Sequence, residues 1–245
     1  MSMNRRQFIG LGAATVSAAA VAPGIKLIKL VQAKKPEDAV TNAQRWGLLI
    51  DTAKCQSGCS VCVDACFEEN GIPKPRKEHL STDAQWIRKL QVKDNATGYV
   101  HNLPMLCQHC EKPPCVDVCP TGASFRREDG IVLVDKHICI GCRYCMMACP
   151  YKARSFVHEP VKDQSVNEPR GKGTVESCTL CNHRIDANNF STACADACLK
   201  EGHQAILFGD LKDKNSEIYK RLRKEPSRQI RSELNLNTGV RYQNI

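Results

Sequence analysis

The feature that most constrains this chain is the distribution of its cysteines. Of the 245 residues 16 are cysteine, and they form four groups of four along the sequence. In chain order these are Cys55, Cys59, Cys62 and Cys66; Cys107, Cys110, Cys115 and Cys119; Cys139, Cys142, Cys145 and Cys149; and Cys178, Cys181, Cys194 and Cys198. Because aromatic residues make up only 5% of the sequence, we expect bound cofactors or cross-links to help hold the fold.

Disulfides, structural zinc and iron–sulfur clusters are the three uses of cysteine that this grouping allows. The third group has the spacing C-x2-C-x2-C-x3-C and is followed by Pro150. In that spacing three thiolates on a tight loop bind one cubane, and the fourth serves a neighbouring cluster. A zinc site built from two C-x-x-C pairs explains neither the third cysteine nor the crossed fourth. The pattern therefore predicts four [4Fe–4S] clusters.

The amino terminus predicts an export signal. Arg5 and Arg6 precede a weakly apolar stretch rich in alanine and glycine, and small residues near Ala33 suit a cleavage site. This pattern is typical of twin-arginine signal peptides, so residues 1–33 are expected to direct the protein to the periplasm or the outer face of the cytoplasmic membrane. Because that route carries folded proteins, it favours clusters over the disulfides that export otherwise suggests.

The positive charge of the chain does not indicate a nucleic-acid binder. The formal charge is +9, and the expected signal contains four cations and no acidic residue, which leaves 9 − 4 = +5 for the mature chain. Thiolates bound to clusters lower this charge further. The sequence shows no basic stripe with interleaved aromatic residues, so we expect no nucleic-acid partner.

The order of the groups predicts two nested modules. An Asp129-Gly130 step between two β-prone runs predicts a hairpin between the second and third groups, which makes these groups the ends of one two-cluster ferredoxin module. The first and fourth groups then pair around it. We expect an α+β fold of two nested bacterial-ferredoxin-like modules, with short β-hairpins and helices and long loops, stabilised by its cofactors. The boundaries are 45–212 for the four-cluster domain, 45–70 plus 174–212 for its outer module, 103–158 for its inner module, and 213–245 for a polar C-terminal tail.

Two runs of sequence carry a family resemblance. Residues 107–115 and 129–151 resemble the four-cluster electron-transfer subunits of membrane-associated oxidoreductases, such as the iron–sulfur subunits of polysulfide reductase and formate dehydrogenase. Within that family, the leader and residues 45–51 look most similar to the O subunit of the DsrMKJOP sulfur-metabolism complex. The resemblance implies an electron-transfer subunit without catalytic residues of its own.

The resemblance also implies partners. These are an integral membrane quinone-interacting subunit and a periplasmic multihaem cytochrome or catalytic subunit, in dissimilatory sulfur metabolism. The alternative is the iron–sulfur subunit of an exported molybdopterin oxidoreductase or hydrogenase.

The same resemblance implies which cysteines share a cluster, in four sets called here quartets 1 to 4. Quartet 1 is Cys55, Cys59, Cys62 and Cys198; quartet 2 is Cys66, Cys178, Cys181 and Cys194; quartet 3 is Cys107, Cys110, Cys115 and Cys149; and quartet 4 is Cys119, Cys139, Cys142 and Cys145. Quartet 1 departs from the family pattern, with three residues between its first two cysteines instead of two. We expect Gly58 to absorb the extra residue in a compact turn.

Two polar residues near the cysteines have open roles. His109 lies between two cysteines of one group, and because sixteen thiols already supply four clusters, we expect it to form a hydrogen bond or pack beside a cluster. Arg184, three residues after Cys181, either tunes a cluster by its charge or forms an ordinary salt bridge.

Overall fold

The computed structural model describes residues 39–73, 82–162, 164–165 and 167–245. The expected signal peptide at residues 1–33 lies outside the described residues. The elements in chain order are β1 (Trp46–Asp51), α1 (Val61–Glu69), β2 (Ile87–Lys93), β3 (Val100–Leu106), α2 (Pro114–Asp117), β4 (Ser124–Arg126), β5 (Val132–Val134), α3 (Tyr144–Ala148), β6 (Ser155–Phe156), β7 (Val175–Glu176), α4 (Asn182–Asp186), α5 (Ala193–Lys200), β8 (Ile206–Asp210), α6 (Glu217–Lys224) and β9 (Val240–Gln243), with a 3-10 turn at Ser232–Leu234. These short mixed elements confirm the predicted α+β class.

A three-stranded sheet with the order β8-β1-β9 lies at the centre of the fold. Strand β1 pairs antiparallel with β8 and parallel with β9, and all six of its residues are buried. Gly47 allows the close approach, because a Cβ there would come within 2.3 Å of the Gly239 carbonyl oxygen. The pairing of β1 with β8 brings residues 46–51 and 206–210 side by side, although more than 150 residues separate them in sequence.

The structure differs from the expected polar tail at residues 213–245. This segment forms α6 and β9, and Ile218, Val240 and Tyr242 are completely buried. An ion pair of 2.9 Å between Arg221 and Asp51 also ties α6 to β1. Apolar residues are too sparse here to form a periodic pattern, so the sequence does not reveal that the segment completes the central sheet.

Two hairpins lie outside this sheet. Strand β2 pairs antiparallel with β3, in a register that starts with Ile87 opposite Leu106 and ends with Lys93 opposite Val100. Strands β4 and β5 form the hairpin predicted from the Asp-Gly step, and Gly130 has the left-handed φ of 91° that this turn requires. A third pair, β6 with β7, joins the end of the inner module to the start of the fourth cysteine group.

No helix in the described part of the chain has both the length and the apolar character needed to cross a membrane.

The buried Tyr242 hydroxyl provides a test of the β9 docking. It accepts a hydrogen bond from Gln108 Nε2 (3.0 Å) and donates one to the Pro104 carbonyl oxygen (3.1 Å). Because Tyr242→Phe keeps the ring but removes both of these hydrogen bonds, we expect the free energy of unfolding to fall by about 1–3 kcal/mol. The apparent melting temperature should then fall by several degrees, measured as loss of cluster absorbance on heating. Tyr99→Phe, at an exposed tyrosine, is the matched control, and equal melting of the two variants would contradict the assigned role.

Candidate metal centre

The structure brings the sixteen cysteines together in four groups. Three of these groups, quartets 1, 3 and 4, each line a separate small cavity. In quartet 2, the Cys66 thiol interacts electrostatically with Cys194 and Cys181, and Cys178 interacts with Cys66 and Cys194. All sixteen thiols are free of disulfides.

Two helices of the outer module share their cysteines between quartets. Helix α1 places Cys62 in quartet 1 and Cys66 in quartet 2, one helical turn further on. Helix α5 packs against α1 and runs the opposite way, with Cys194 in quartet 2 and Cys198 in quartet 1. Because residues four apart lie on one helix face, each helix presents both thiols to the space between the helices.

The inner module repeats this crossed arrangement with shorter helices. Cys115 on α2 lies in quartet 3, and Cys119, four residues later, lies in quartet 4. Cys145 on α3 lies in quartet 4, whereas Cys149, at its end, lies in quartet 3. Each quartet therefore receives cysteines from two distant segments, so the sites form only when the chain folds.

Left-handed residues turn the loops between the cysteines. Gly58 has φ 76°, as the extra residue before Cys59 requires, and His109, Arg143 and Cys181 also have positive φ angles. Gly141 (φ 71°) has no space for a side chain, since a Cβ would come within 2.2 Å of the Gly173 carbonyl oxygen. Tight turns of this kind let consecutive thiols point to one centre.

Backbone amides point at many of the cysteine sulfurs. The amides of Ser124 and Ala205 donate to the sulfurs of Cys119 (3.3 Å) and Cys198 (3.2 Å). Longer contacts of 3.5 Å reach the sulfurs of Cys149, Cys139 and Cys178. Such donors stabilise negative charge on sulfur, which favours bound thiolate and the reduced state of a cluster.

The quartets follow one another in a row. Cys62 of quartet 1 interacts electrostatically with Cys194 of quartet 2. Cys178 of quartet 2 interacts with Cys107 of quartet 3, and Cys115 of quartet 3 with Cys145 of quartet 4. The spatial order is therefore 1, 2, 3, 4.

His109 has a structural hydrogen bond at one ring nitrogen. Its Nδ1 accepts from the Val132 amide at 3.0 Å, so the proton of the neutral ring is on Nε2. Burial, followed by the nearby charge of Arg154, lowers the pKa of His109 to about 3. Its buried Nε2 has no hydrogen-bond partner among the described residues. The ring is thus a neutral packing and hydrogen-bonding group, in agreement with the sequence-based interpretation.

Arg184 forms a network of salt bridges with two carboxylates. Its guanidinium contacts Glu69 at 2.5 Å and Asp196 at 2.8 Å, which joins α4 to α1 and α5. His183 Nε2 also lies 2.6 Å from Glu69. The hydrogen bond from Arg184 is the main cause that lowers the pKa of Glu69 to about 2. Of the two roles left open by the sequence, the structure shows the salt bridge.

Two cationic side chains lie near the sulfurs, and no sequence motif indicates either of them. Lys89, from the insertion between the first two cysteine groups, donates to the carbonyl oxygens of Gln56 and Cys59 (2.7 Å to the latter) and covers quartet 1. Arg154 is buried, and its Nη2 donates to Cys115 Sγ at 3.2 Å. Only the folding of distant segments brings Lys89 to the sulfurs, whereas Arg154 lies close in sequence but outside every motif.

The thiols suit an iron–sulfur cluster, by their chemistry and their surroundings. Burial and the repulsion of neighbouring thiolates raise the pKa of Cys62 to about 12, so protons leave only when a cation replaces them. The Nη1 group of Arg154 is buried without a hydrogen-bond partner in the described residues, beside Cys115, where cluster sulfur would supply an acceptor. Within the described residues, no three His, Cys, Asp or Glu side chains converge on a single metal ion.

Comparison with known families identifies the class of protein. A model of the 4Fe–4S dicluster domain matches residues 98–210, and a second 4Fe–4S dicluster model matches residues 54–123. The chain is 40% identical to the Hdr-like menaquinol oxidoreductase iron-sulfur subunit 1 of Archaeoglobus fulgidus, over 98% of this chain and 97% of that protein. The chain belongs to this family of iron–sulfur electron-transfer subunits.

Two further relatives also match most of this chain. The B subunit of tetrathionate reductase from Salmonella typhimurium is 36% identical over 89% of this chain and 78% of its own length. Protein NrfC of Escherichia coli is 34% identical over 93% of this chain and 89% of its own length. Two dicluster matches and sixteen cysteines confirm the prediction of four [4Fe–4S] clusters.

The Gly141 turn provides a test of the quartet 4 loop. In Gly141→Ala the new Cβ collides with the Gly173 carbonyl oxygen, so the loop between Cys139 and Cys142 must shift. We expect iron per chain, measured with acid-labile sulfide after anaerobic purification, to fall towards three clusters. Gly122→Ala is the control, because Gly122 has a similar φ of 70° but open space around it. Full iron content in Gly141→Ala would show that the loop tolerates the shift.

The Glu69 salt bridges predict a pH-dependent stability. The pKa of Glu69 is lowered from 4.5 to about 2, so its contribution is present above pH 4.5 and is lost as the pH falls towards 2. We expect Glu69→Gln to melt below the wild type at pH 7, with a difference that shrinks at pH 3.5. Glu68→Gln, on the exposed side of α1, should melt like the wild type at both values. A Glu69→Gln difference that does not change with pH would contradict this assignment.

Proposed function

We propose that this chain relays single electrons along a row of four [4Fe–4S] clusters, one bound by each of quartets 1 to 4. The observation that carries the proposal is the spatial order 1, 2, 3, 4 of the quartets. The pairing of β1 with β8 and the packing of α1 on α5 support an outer module of residues 45–70 plus 174–212 around an inner module of residues 103–158.

The burial of the cysteines supports exchange of electrons at the two ends of the row. All eight cysteines of quartets 2 and 3 are buried. At the ends, Cys142 of quartet 4 is exposed, and Cys55 and Cys59 of quartet 1 are half-buried. Electron transfer between proteins needs cofactors near both surfaces, so quartets 1 and 4 are the points where partners approach.

The chain contributes position and environment to this relay. When bound, a [4Fe–4S] cluster accepts and releases one electron. The crossed helices α1 and α5 hold neighbouring quartets close together, and backbone amides stabilise charge on the cysteine sulfurs. The buried surroundings of quartets 2 and 3 exclude water. Because the dielectric constant is low there, electrostatic interactions with charges of the protein are stronger than in water.

The partners that we propose are an integral membrane quinone-interacting subunit and a periplasmic multihaem cytochrome or catalytic subunit. The match to an iron–sulfur subunit of a menaquinol oxidoreductase along almost the whole chain supports the quinone-linked partner. The twin-arginine pattern at residues 1–33 supports a location in the periplasm or at the outer face of the cytoplasmic membrane.

We further propose a role in dissimilatory sulfur metabolism, as in the O subunit of the DsrMKJOP complex. The similarity of the leader and of residues 45–51 to that protein supports this assignment. A second candidate is the iron–sulfur subunit of an exported molybdopterin oxidoreductase or hydrogenase, and the match to a subunit of a reductase favours attachment to a catalytic enzyme of this kind. A catalytic subunit that copurifies with the chain distinguishes the two.

The crossed ligand sets predict that substitutions of two cysteines on the same helix alter different EPR signals. Cys62 and Cys66 lie one turn apart on α1, but the proposal assigns them to different clusters. We therefore expect Cys62→Ser and Cys198→Ser to alter one component of the low-temperature EPR spectrum of the reduced protein. Cys66→Ser and Cys194→Ser should alter another.

Two outcomes would contradict the proposed function. The assignment of cysteines to clusters is wrong if Cys62→Ser and Cys66→Ser remove the same EPR component. The proposed electron relay is wrong if the anaerobically reconstituted protein contains no iron. The quinone link is tested separately in membranes that contain the whole complex, where a menaquinol analogue should reduce the clusters and produce their EPR signals.

A further inference from the structure

Arg154 lies between quartets 3 and 4. The residue follows the last cysteine of quartet 3 by five positions and is 5% exposed. Its Nη2 donates to Cys115 Sγ of quartet 3 at 3.2 Å, and its charge also attracts Cys107 of the same quartet. The charge of the guanidinium also attracts the thiolate of Cys145, which belongs to quartet 4. One side chain therefore serves the sulfurs of two neighbouring quartets.

The positive charge of Arg154 has no acidic partner. In the described part of the chain, no carboxylate forms an ion pair with it, and its buried Nη1 group is without a hydrogen-bond partner. Arg184, near quartet 2, provides a contrast, since Glu69 and Asp196 neutralise it. Because a guanidinium stays protonated in proteins, Arg154 places a full charge in a low-dielectric region next to cysteine sulfur.

We propose that Arg154 raises the reduction potentials of the two clusters at quartets 3 and 4 together. This inference rests on the ligand sets of the proposed function. A cluster that accepts one electron gains one negative charge, and a fixed cation nearby stabilises that state. The hydrogen bond from the same guanidinium to Cys115 Sγ adds to the effect at quartet 3. No proton is taken up, since Arg154 is charged in both states.

The shared position has a consequence for the relay. Because one charge acts on both clusters, their potentials move in the same direction and the difference between the potentials of quartets 3 and 4 changes little. Arg154 influences electron transfer only through the potentials of the two clusters, so it is a positioning residue and not a catalytic one. A guanidinium suits this role because it donates to Cys115 Sγ and carries a delocalised, permanent charge, whereas a lysine ammonium is a compact point charge with different donor geometry.

The experiment is an EPR-monitored redox titration of the anaerobically purified holoprotein. We expect Arg154→Gln to shift two of the four midpoint potentials to more negative values and to leave the other two unchanged. Arg154→Lys should shift the same two by a smaller amount. Lys152→Gln removes the same charge from an exposed position two residues away, and solvent screening should leave all four potentials as in the wild type.

The iron content of each variant separates the possible failures. If the wild type lacks four clusters, the proposed function is wrong. If the wild type and Arg154→Gln both have four clusters with equal potentials, the role of Arg154 is wrong and the relay stands. If Arg154→Gln loses a cluster, Arg154→Lys decides: two lowered potentials support the shared role, whereas four wild-type potentials, or one lowered potential, overturn it.

Discussion

The rest of the structure depends on the crossing of cysteines between neighbouring quartets. On α1 and on α5, two cysteines four residues apart face the same side but belong to different quartets. Because residues four apart rise by about 6 Å along an α-helix, these two helices set the separation of quartets 1 and 2. The two clusters of the outer module are therefore held close by rigid backbone, and electron transfer between them needs this proximity.

Charge is the second constraint, because thiolates repel one another when buried. In quartet 2 all four cysteines are buried, and burial with the neighbouring thiolates raises the pKa values of Cys66 and Cys178 well above the usual value. Iron offsets that repulsion when the clusters assemble, so cluster binding and folding are one process. The protein adds backbone amides at the sulfurs and a few placed cations, of which Arg154 is the most buried beside a quartet.

The central sheet explains how a chain with few aromatic residues holds four sites in place. Strand β1 pairs with β8 and β9, so the two parts of the outer module and the C-terminal segment meet on one strand. Gln108, between two quartet 3 cysteines, is hydrogen-bonded to Tyr242 of β9. The segment after residue 212 therefore supports the inner module as well as the outer one.

The number and kind of the clusters, the α+β class and the hairpin at Asp129-Gly130 could all be predicted from the residues alone. These features depend on local spacing and turn chemistry, which the sequence displays directly. Three features became visible only in the folded chain: residues 213–245 complete the sheet, Lys89 covers quartet 1, and Arg154 lies beside quartet 3 with no carboxylate partner among the described residues. Those features arise from contacts between distant segments or from the burial of single residues, and neither leaves a periodic pattern in the sequence.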